Sequence, residues 1–262
     1  MIPSAEIIAI LYEAGEILKK AHLENDEIHG KTGLANFVTD YDVKIQEFLI
    51  EKFHTLMPEA GFFGEESTEG NGGDRDGYCF YIDPIDGTTN FIFEYHHSCI
   101  SIGLSYKKKM IAGFIYNPYV DEMFSAIRGE GCFINGKKVK IKDIPLEKGI
   151  ASFGCARYNE SDTDALFILT KMMYLNSLSI RNGGSAALDL CRVAAGRNTV
   201  YLELKLQPYD YAAASIMIEE AGGVITQLDG TAITLDQPCS ILAGTPTAVE
   251  QVRQMARESK MI

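Results

Sequence analysis

Two aspartates three residues apart, Asp83 and Asp86, are the most chemically informative residues of this 262-residue chain. They follow an apolar run from Tyr78 to Ile82, and Pro84 stiffens the turn between them. Both carboxylates can therefore point into one pocket. Carboxylate oxygens are the ligands that hard divalent cations such as Mg²⁺ prefer. The pair predicts a metal site where a strand ends.

A glycine and two hydroxyl residues, Gly87, Thr88 and Thr89, come directly after this pair. They stand where a helix can begin, and the free backbone N–H groups of a helix start favour an anion such as phosphate. A metal site beside a phosphate site is what metal-assisted hydrolysis of a phosphate ester requires. Asp-Pro and Asp-Gly pairs are also common in turns, so the motif alone is equally compatible with an ordinary surface turn.

Other acidic residues strengthen the metal-site interpretation, although each also has a simpler structural explanation. Glu65 and Glu66 form an adjacent pair, which is usually a solvated face. Asp42 lies in the first turn of a predicted helix, where it would interact favourably with the helix dipole. Asp210 stands at the head of another predicted helix, where capping would explain it.

The elements that must position these residues fall into three stretches. An apolar stripe predicts a helix from Ser4 to about residue 21, and Thr39 is placed to cap a second helix from Asp40 to about Leu56. The chain is then strand-rich to about residue 145, with a tight turn at Asn135-Gly136. Beyond residue 149 strands and helices alternate, which implies crossover units with helices packed on a sheet. The later predicted elements are strands 99–106, 111–116, 122–127, 132–134, 150–153, 178–181, 199–204 and 223–228, and helices after 161 and from 185, 211 and 246.

Composition excludes several classes of partner. The chain is 46% hydrophobic and 23% charged, which is ordinary for a globular protein, and its formal net charge is −12. Nucleic acids and anionic membranes call for a basic surface, so neither is an expected partner. A phosphorylated substrate remains compatible, because bound Mg²⁺ reverses the local sign of the field.

The sequence also favours a cytoplasmic location. The first residues lead directly into an amphipathic segment without a signal pattern, and no apolar run approaches the roughly 20 residues of a membrane-spanning helix. The cysteines lie far apart without zinc-ligand spacing, so we expect buried free thiols in a reducing compartment. They are Cys79, Cys99, Cys132, Cys155, Cys191 and Cys239.

Taken in order, several motifs resemble those of the inositol monophosphatase family of Mg²⁺-dependent, lithium-sensitive phosphatases. They span most of the chain, and the string from Asp83 to Phe91 is the most specific of them. The matching motifs are Val38-Thr39-x-x-Asp42, Gly64-Glu65-Glu66-Ser67, Asp83-Pro84-Ile85-Asp86-Gly87-Thr88-Thr89-Asn90-Phe91, Gly184-Ser185-Ala186-Ala187, and Pro208-Tyr209-Asp210 followed by Glu220-Ala221-Gly222-Gly223.

The resemblance implies a fold that combines α+β and α/β parts in a layered αβαβα sandwich. Its metal site would lie between an N-terminal α+β lobe, 1–145, with most of the metal ligands, and a C-terminal α/β lobe, 146–262, with Asp210 and substrate contacts. The polar stretch 142–148 marks the predicted boundary. A homodimer is common in the family.

The resemblance also implies the metal ligands. Two or three Mg²⁺ ions would bind at each active site, and Mn²⁺ can substitute. Asp83 would bridge two metals. One metal site would be completed by Glu65, the carbonyl of Ile85 and Thr88, and the other by Asp86 and Asp210.

Catalysis and phosphate binding are assigned by the same resemblance. Asp42 and Thr88, with Glu65 beside them, would orient and deprotonate the attacking water. Glu66 would hold the metal ligands in place without binding metal itself. The helix start formed by Gly87, Thr88 and Thr89 would bind the phosphate.

Four residues resemble the substrate contacts of the family. Glu203 matches a residue that accepts hydrogen bonds from the ring hydroxyls of a polyol, although a lone glutamate at a strand end is usually solvated. Gly184 and Ser185 match a substrate-binding helix start, and Ser185 would equally serve as an N-cap. Lys31 matches a loop lysine near the active site.

The departures from the family pattern concern the substrate and leave the metal ligands intact. Tyr209 replaces a tryptophan, and Asn36 replaces an aspartate. Phe93 stands where a His or Asn is usual, and His96 stands where a Pro is usual. We therefore expect hydrolysis of a small polyol or sugar phosphate, most simply inositol monophosphate. The alternatives are fructose 1,6-bisphosphate, histidinol phosphate and 3′-phosphoadenosine phosphates, and a non-catalytic metal-binding regulatory protein.

Overall fold

A computed structural model describes residues 2–21, 28–30, 37–66, 72–73, 75–155 and 160–262. Lys31, Asn36 and Ser67 lie outside these described residues. The helices within them are α1 Ser4–Lys20, α2 Asp40–Leu56, α3 Thr88–Ile92, α4 Glu160–Leu175, α5 Ala186–Ala194, α6 Pro208–Ala221 and α7 Pro246–Glu258. The strands are β1 Ile28–Gly30, β2 Phe37–Thr39, β3 Gly61–Gly64, β4 Tyr78–Asp86, β5 Cys99–Tyr106, β6 Lys109–Asn117, β7 Glu122–Ile127, β8 Gly131–Ile134, β9 Lys137–Val139, β10 Ile150–Phe153, β11 Ser179–Arg181, β12 Val200–Leu206, β13 Val224–Thr226 and β14 Cys239–Gly244.

Two large sheets alternate with layers of helices. The first sheet has the order β3-β4-β5-β6-β7-β8-β9 and the second the order β11-β10-β12-β14-β13. Helices α1 and α2 cover one face of the first sheet, α5 and α6 lie between the sheets, and α4 and α7 cover the outer face of the second. The predicted αβαβα sandwich is therefore confirmed.

The outer helix layer forms as its apolar pattern predicts. Ile7, Leu11 and Leu18 on α1 are buried against the first sheet. On α2, Phe53 stacks on Phe80 of β4 with 4.5 Å between ring centroids. Thr39 caps α2 as expected from the sequence. This layer holds the start of α2 against the end of β4.

The central helix α6 packs closely on the first sheet because two of the sheet residues that it contacts are glycines. A Cβ on Gly103 would lie 3.0 Å from the Cβ of Ala212, and one on Gly113 would collide with the backbone of Ala213. This packing fixes α6, and with it Asp210 in its first turn, relative to β4.

The second sheet differs from the predicted series of crossovers. Strand β14 was not predicted, because a short apolar run such as 239–244 has no periodicity that identifies it. It lies between β12 and β13 and is antiparallel to both, whereas β10 is parallel to β11 and β12. Helix α6 begins at Pro208 instead of Tyr211, which fits the preference of proline for the first helical position.

The central core contains residues from both sides of the predicted lobe boundary. The first sheet ends at Val139 and β10 begins at Ile150, on either side of the predicted boundary at 142–148. Tyr81, Leu190 and Met217 nevertheless belong to the same hydrophobic core. The division into lobes at this boundary stays a prediction.

Two expectations about the environment can be compared with the structure. No helix in the described ranges is long and apolar enough to cross a membrane. All six cysteines are free thiols, as expected. Cys155, however, is exposed, because it follows the end of β10.

Candidate active site

The aspartate pair lies at the end of β4, where the strand bulges. Asp83 pairs with Ser101 of β5 and Asp86 with Cys99, so the β4 segment has one residue more than its partner. Pro84, which has no N–H for the ladder, occupies the bulge. Both aspartates are buried, and the Asp83 side chain accepts a hydrogen bond of 3.1 Å from the N–H of Ile85.

The turn after β4 requires a glycine. Gly87 is the N-cap of α3 and has φ of +94°. A Cβ at this position would lie 3.1 Å from the carbonyl oxygen of His97 and 3.2 Å from that of Gly184. The hydroxyl of Thr88 lies 3.1 Å from the Ile85 carbonyl oxygen. The start of α3 is thus held closely between two other segments.

Asp42 reaches the same place from α2. Its Oδ2 accepts hydrogen bonds from the N–H and the hydroxyl of Thr39, at 2.7 and 2.6 Å, and its Oδ1 lies 3.2 Å from the hydroxyl of Thr88. Burial raises the pKa of Asp42 to about 7, against the opposing effect of the Thr39 hydrogen bonds, and the charges of Glu65 and Glu66 add to the rise.

The Glu65-Glu66 segment is fixed by a residue that the sequence reasoning missed. Gln46 donates from Nε2 to the Glu66 carbonyl oxygen at 2.6 Å and accepts from the Glu66 N–H at 2.9 Å. Any side chain on Gly64 would collide with this amide. Gln46 lies one helical turn after Asp42 and is fully buried; the sequence offered only the spacing as a signal.

Asp86 is bound by the start of α5. Its Oδ2 accepts hydrogen bonds from the Ser185 hydroxyl at 2.5 Å and from the Ala187 N–H at 2.7 Å. Ser185 also caps α5 by accepting from the Leu188 N–H. Burial raises the pKa of Asp86 to about 6, although these hydrogen bonds act in the opposite direction.

Asp210 comes from α6 and meets the same group of charges. Its Oδ2 accepts a hydrogen bond of 2.7 Å from the Gln207 N–H. Burial, followed by the charges of Asp86 and Glu65, raises the pKa of Asp210 well above its usual range. The pKa of Asp83 is raised by burial and then by Glu65, Asp86, Asp210 and Asp42. We call these five acidic residues, Asp42, Glu65, Asp83, Asp86 and Asp210, the carboxylate centre.

The donors of the carboxylate centre fit a hard divalent cation. In the described ranges, no group of three His, Cys, Asp or Glu side chains is arranged as a complete metal-ligand set. The carboxylates nevertheless raise one another's pKa, and burying several like charges is costly without a compensating cation. Their donors are oxygens, as are those of Thr88 and the Ile85 carbonyl, which suits Mg²⁺.

A small cavity of about 210 Å³ opens beside the carboxylate centre. Among the residues predicted to bind substrate, Gly184, Ser185 and Glu203 line it. Thr89 is exposed and is not part of the lining, and Glu66 is buried against Gln46. The full lining is Asp86, Gly154, Cys155, Asn182, Gly184, Ser185, Ala186, Asp189, Tyr201, Glu203, Leu206 and Asp210.

A hydrogen-bond network that was not predicted connects α3 with the cavity wall. The Asn90 side chain donates to the carbonyl oxygens of His97 and Gly183, at 2.8 Å each. The Gly183 N–H donates to buried Asp189, which also accepts from Arg192 at 3.0 Å. Arg192 in turn contacts His97, and burial followed by the Arg192 charge lowers the pKa of His97 to about 4.

Comparisons with known proteins agree with this geometry. The profile of the family described as "Inositol monophosphatase family" matches residues 4–260. An inositol monophosphatase of Dictyostelium discoideum is 34% identical over 249 residues, which cover 92% of this chain and 90% of that protein.

Solved structures give the same result. The extragenic suppressor protein suhB of Bartonella henselae superposes with a TM-score of 0.89 at 30% identity, over 97% of this chain and 98% of that one. IMPase-II of Staphylococcus aureus, solved with inositol monophosphate bound, gives a TM-score of 0.82 at 27% identity, over 100% of this chain and 97% of that one. The chain therefore belongs to the inositol monophosphatase family and is a phosphoric monoester hydrolase, of a generally metal-dependent family, that acts on small phosphorylated molecules.

Proposed function

We propose that this enzyme hydrolyses the monophosphate of a small polyol with Mg²⁺, and that inositol monophosphate is its leading substrate. The observation that supports this most is the cavity beside the carboxylate centre, which is small and acidic. Carboxylates such as Glu203 accept hydrogen bonds from hydroxyl groups, of which a polyol has many. The inositol monophosphate bound to the Staphylococcus aureus relative is consistent with this substrate class.

The charge of the cavity argues for one phosphate instead of two. Four of its residues are acidic, and the described lining includes no lysine or arginine. Asp189 is paired with Arg192, which lies outside the lining. Asp86 and Asp210 are proposed metal ligands, so Glu203 is the carboxylate of the lining that would repel a second phosphate, which disfavours fructose 1,6-bisphosphate and 3′-phosphoadenosine 5′-phosphate. Histidinol phosphate is the second candidate, because its amino group is a cation that the acidic lining would attract.

We assign the metal ligands as the resemblance implies. Asp83, Glu65, the Ile85 carbonyl and Thr88 would hold one ion, and Asp83, Asp86 and Asp210 would hold another. Bound Mg²⁺, in two or three copies, would neutralise the buried carboxylates, polarise the phosphate and acidify a water molecule. Mn²⁺ would be able to replace it, and lithium inhibition would follow from family membership.

The protein residues would then position and deprotonate the nucleophile. Asp42 lies within hydrogen-bonding distance of the Thr88 hydroxyl, which puts a carboxylate where a general base is needed. Together they would hold a water molecule and accept its proton. The N–H groups of Gly87 and Thr88 stand at the start of α3, where they would bind phosphate oxygens. Thr89, the next residue of α3, would contribute to the same phosphate site.

A panel of substrates tests this proposal. Phosphate release is measured with and without Mg²⁺ from myo-inositol 1-phosphate, histidinol phosphate, fructose 1,6-bisphosphate and 3′-phosphoadenosine 5′-phosphate. We expect the highest kcat/KM for the inositol phosphate, and loss of activity in Asp86→Asn. Asp164→Asn, the same change on the exposed surface of α4, is the matched control. Faster hydrolysis of either bisphosphate would contradict the proposed substrate class.

The assembly and location of the enzyme are further parts of the proposal. We infer a homodimer, as is common in the family, and large apolar side chains exposed on α4 and the turn after it support a subunit contact. These are Phe167, Ile168, Tyr174, Leu175 and Leu178. Light scattering after size-exclusion chromatography distinguishes a dimer from a monomer. The free cysteines support a cytoplasmic location.

A further inference from the structure

Tyr201 lines the cavity and has no role in the proposed mechanism. Tyr201 and Glu203 are alternate residues of β12, so both side chains point to the same face of the sheet. Tyr201 is fully buried, and its hydroxyl donates a hydrogen bond to Oε2 of Glu203. Both side chains line the cavity. A buried tyrosine is thus bound directly to the proposed substrate carboxylate.

The structure provides space for this pair at Gly154. Gly154 follows β10, the strand beside β12, and its N–H donates to the Leu202 carbonyl oxygen at 2.9 Å. A Cβ on Gly154 would collide with both the Tyr201 hydroxyl and Oε2 of Glu203. Its φ is not positive, so the glycine is needed for space and not for its backbone conformation. The tyrosine–glutamate pair therefore depends on a third residue from another strand.

We propose that Tyr201 is a positioning residue that sets the preference of this enzyme for polyol phosphates. Its hydroxyl holds the Glu203 carboxylate in the one orientation that accepts hydrogen bonds from substrate hydroxyls. This inference rests on the proposed function, in which Glu203 binds the polyol. A glutamate side chain has several rotamers, and fixing it before the substrate arrives removes an entropic cost from binding.

The test compares two substrates that share the phosphate and differ in the leaving group. Myo-inositol 1-phosphate presents hydroxyl groups to Glu203, whereas p-nitrophenyl phosphate presents none. Tyr201→Phe removes only the hydroxyl. We expect it to raise KM for the inositol phosphate about tenfold, as for the loss of a hydrogen bond to a charged group, with kcat unchanged. Both constants for p-nitrophenyl phosphate should stay within about twofold of wild type, which also shows that the variant folds.

Three further variants separate positioning from general destabilisation. Tyr211→Phe is the control, because it also removes a hydroxyl from a fully buried tyrosine. This hydroxyl donates to the Thr234 carbonyl oxygen, outside the cavity lining, so kcat and KM for both substrates should stay unchanged. Gly154→Ala should displace the pair and reproduce the KM effect by an independent route. In a Glu203→Ala background, Tyr201→Phe should have no further effect on KM, because the tyrosine acts through that carboxylate.

The outcomes are distinguishable. Equal effects of Tyr201→Phe on both substrates, or an additive effect in the Glu203→Ala background, would overturn the role of Tyr201. An unchanged KM for the inositol phosphate would do the same while leaving the proposed function intact. If the wild-type enzyme cleaves p-nitrophenyl phosphate and no polyol phosphate, the proposed function fails, and the role of Tyr201 fails with it.

Discussion

The carboxylate centre and the cavity beside it are neighbours, but they are built differently. Asp42 accepts hydrogen bonds from Thr39, three residues before it, and Asp83 accepts one from the N–H of Ile85, two residues after it. The cavity wall is assembled from distant segments, among them Gly154 after β10, Ser185 before α5 and Glu203 on β12. Local hydrogen bonds thus hold Asp42, Asp83 and Asp210, whereas tertiary packing holds Asp86 and determines the space that a substrate must fit. Substitutions in the two regions should therefore have different kinetic signatures.

The largest effect is expected at Asp42. Asp42→Asn keeps the size of the side chain and removes the proposed general base, so kcat should fall by about 10²–10⁴-fold with little change in KM. Steady-state kinetics on myo-inositol 1-phosphate measure both constants, with Asp164→Asn as control. A variant that changed mainly KM would erase the difference between the two regions.

A smaller effect with the opposite signature is expected at Glu203. Glu203→Gln weakens the acceptor for substrate hydroxyls, and KM for the inositol phosphate should rise about tenfold. The kcat for this substrate and both constants for p-nitrophenyl phosphate should remain near wild type. A large loss of kcat for both substrates would place Glu203 with the carboxylate centre instead.

Asn90 joins the two regions and should give a mixed result. Asn90→Ala removes the donors that hold His97 and Gly183, and leaves two carbonyl groups without these partners. We expect kcat and KM to change together by a few fold, and stability to fall by about 1–3 kcal/mol. Chemical denaturation and kinetics measure the two effects. A change in KM alone would mean that the position of α3 does not depend on the hydrogen bonds of Asn90 to His97 and Gly183.

The smallest effect concerns the stability of the metal-free protein as a function of pH. The pKa values of Asp42 and Asp86 are raised by burial from 3.8 to about 7 and about 6. At these two carboxylates the folded state therefore binds more protons than the unfolded state between about pH 4 and 7, so their contribution to stability falls as pH rises through this window.

Thermal denaturation in a chelator at pH 5 and pH 8 measures this dependence. We expect a lower Tm at pH 8 by several degrees, a smaller difference in Asp86→Asn, and the largest gain from added Mg²⁺ at pH 8. A Tm that rises between pH 5 and pH 8 without metal would contradict the origin of the raised pKa values.

The sequence predicted the local features around the carboxylate centre better than the distant ones. The N-cap at Thr39 and the glycine at position 87 follow from local rules, whereas β4 continues through a bulge at Pro84 where a turn was predicted. Gln46, Asn90 and β14 were missed, since a buried amide or a short apolar strand is identified by partners that are distant in sequence.

The substrate contacts also lack a short-range signal in the sequence, so they were inferred only by resemblance. Glu203 has no local signal beyond a strand end, and its partner Tyr201 and the space at Gly154 depend on how β10 and β12 pair. The layer order likewise required knowledge of which helices pack between the two sheets. Family motifs supplied what periodicity did not.

The hydrogen bond between Asp86 and Ser185 has a consequence for the synthesis of the chain. The two residues are 99 positions apart, so Asp86 leaves the ribosome long before the helix that binds it has been made. Until then this carboxylate lacks the donors that stabilise its charge in the finished protein. The enzyme is therefore assembled late: a nascent chain that has completed the motif from Asp83 to Phe91 contains the two aspartates that we propose as metal ligands, but the carboxylate centre is complete only when the segment from Ser185 to Asp210 has folded onto it.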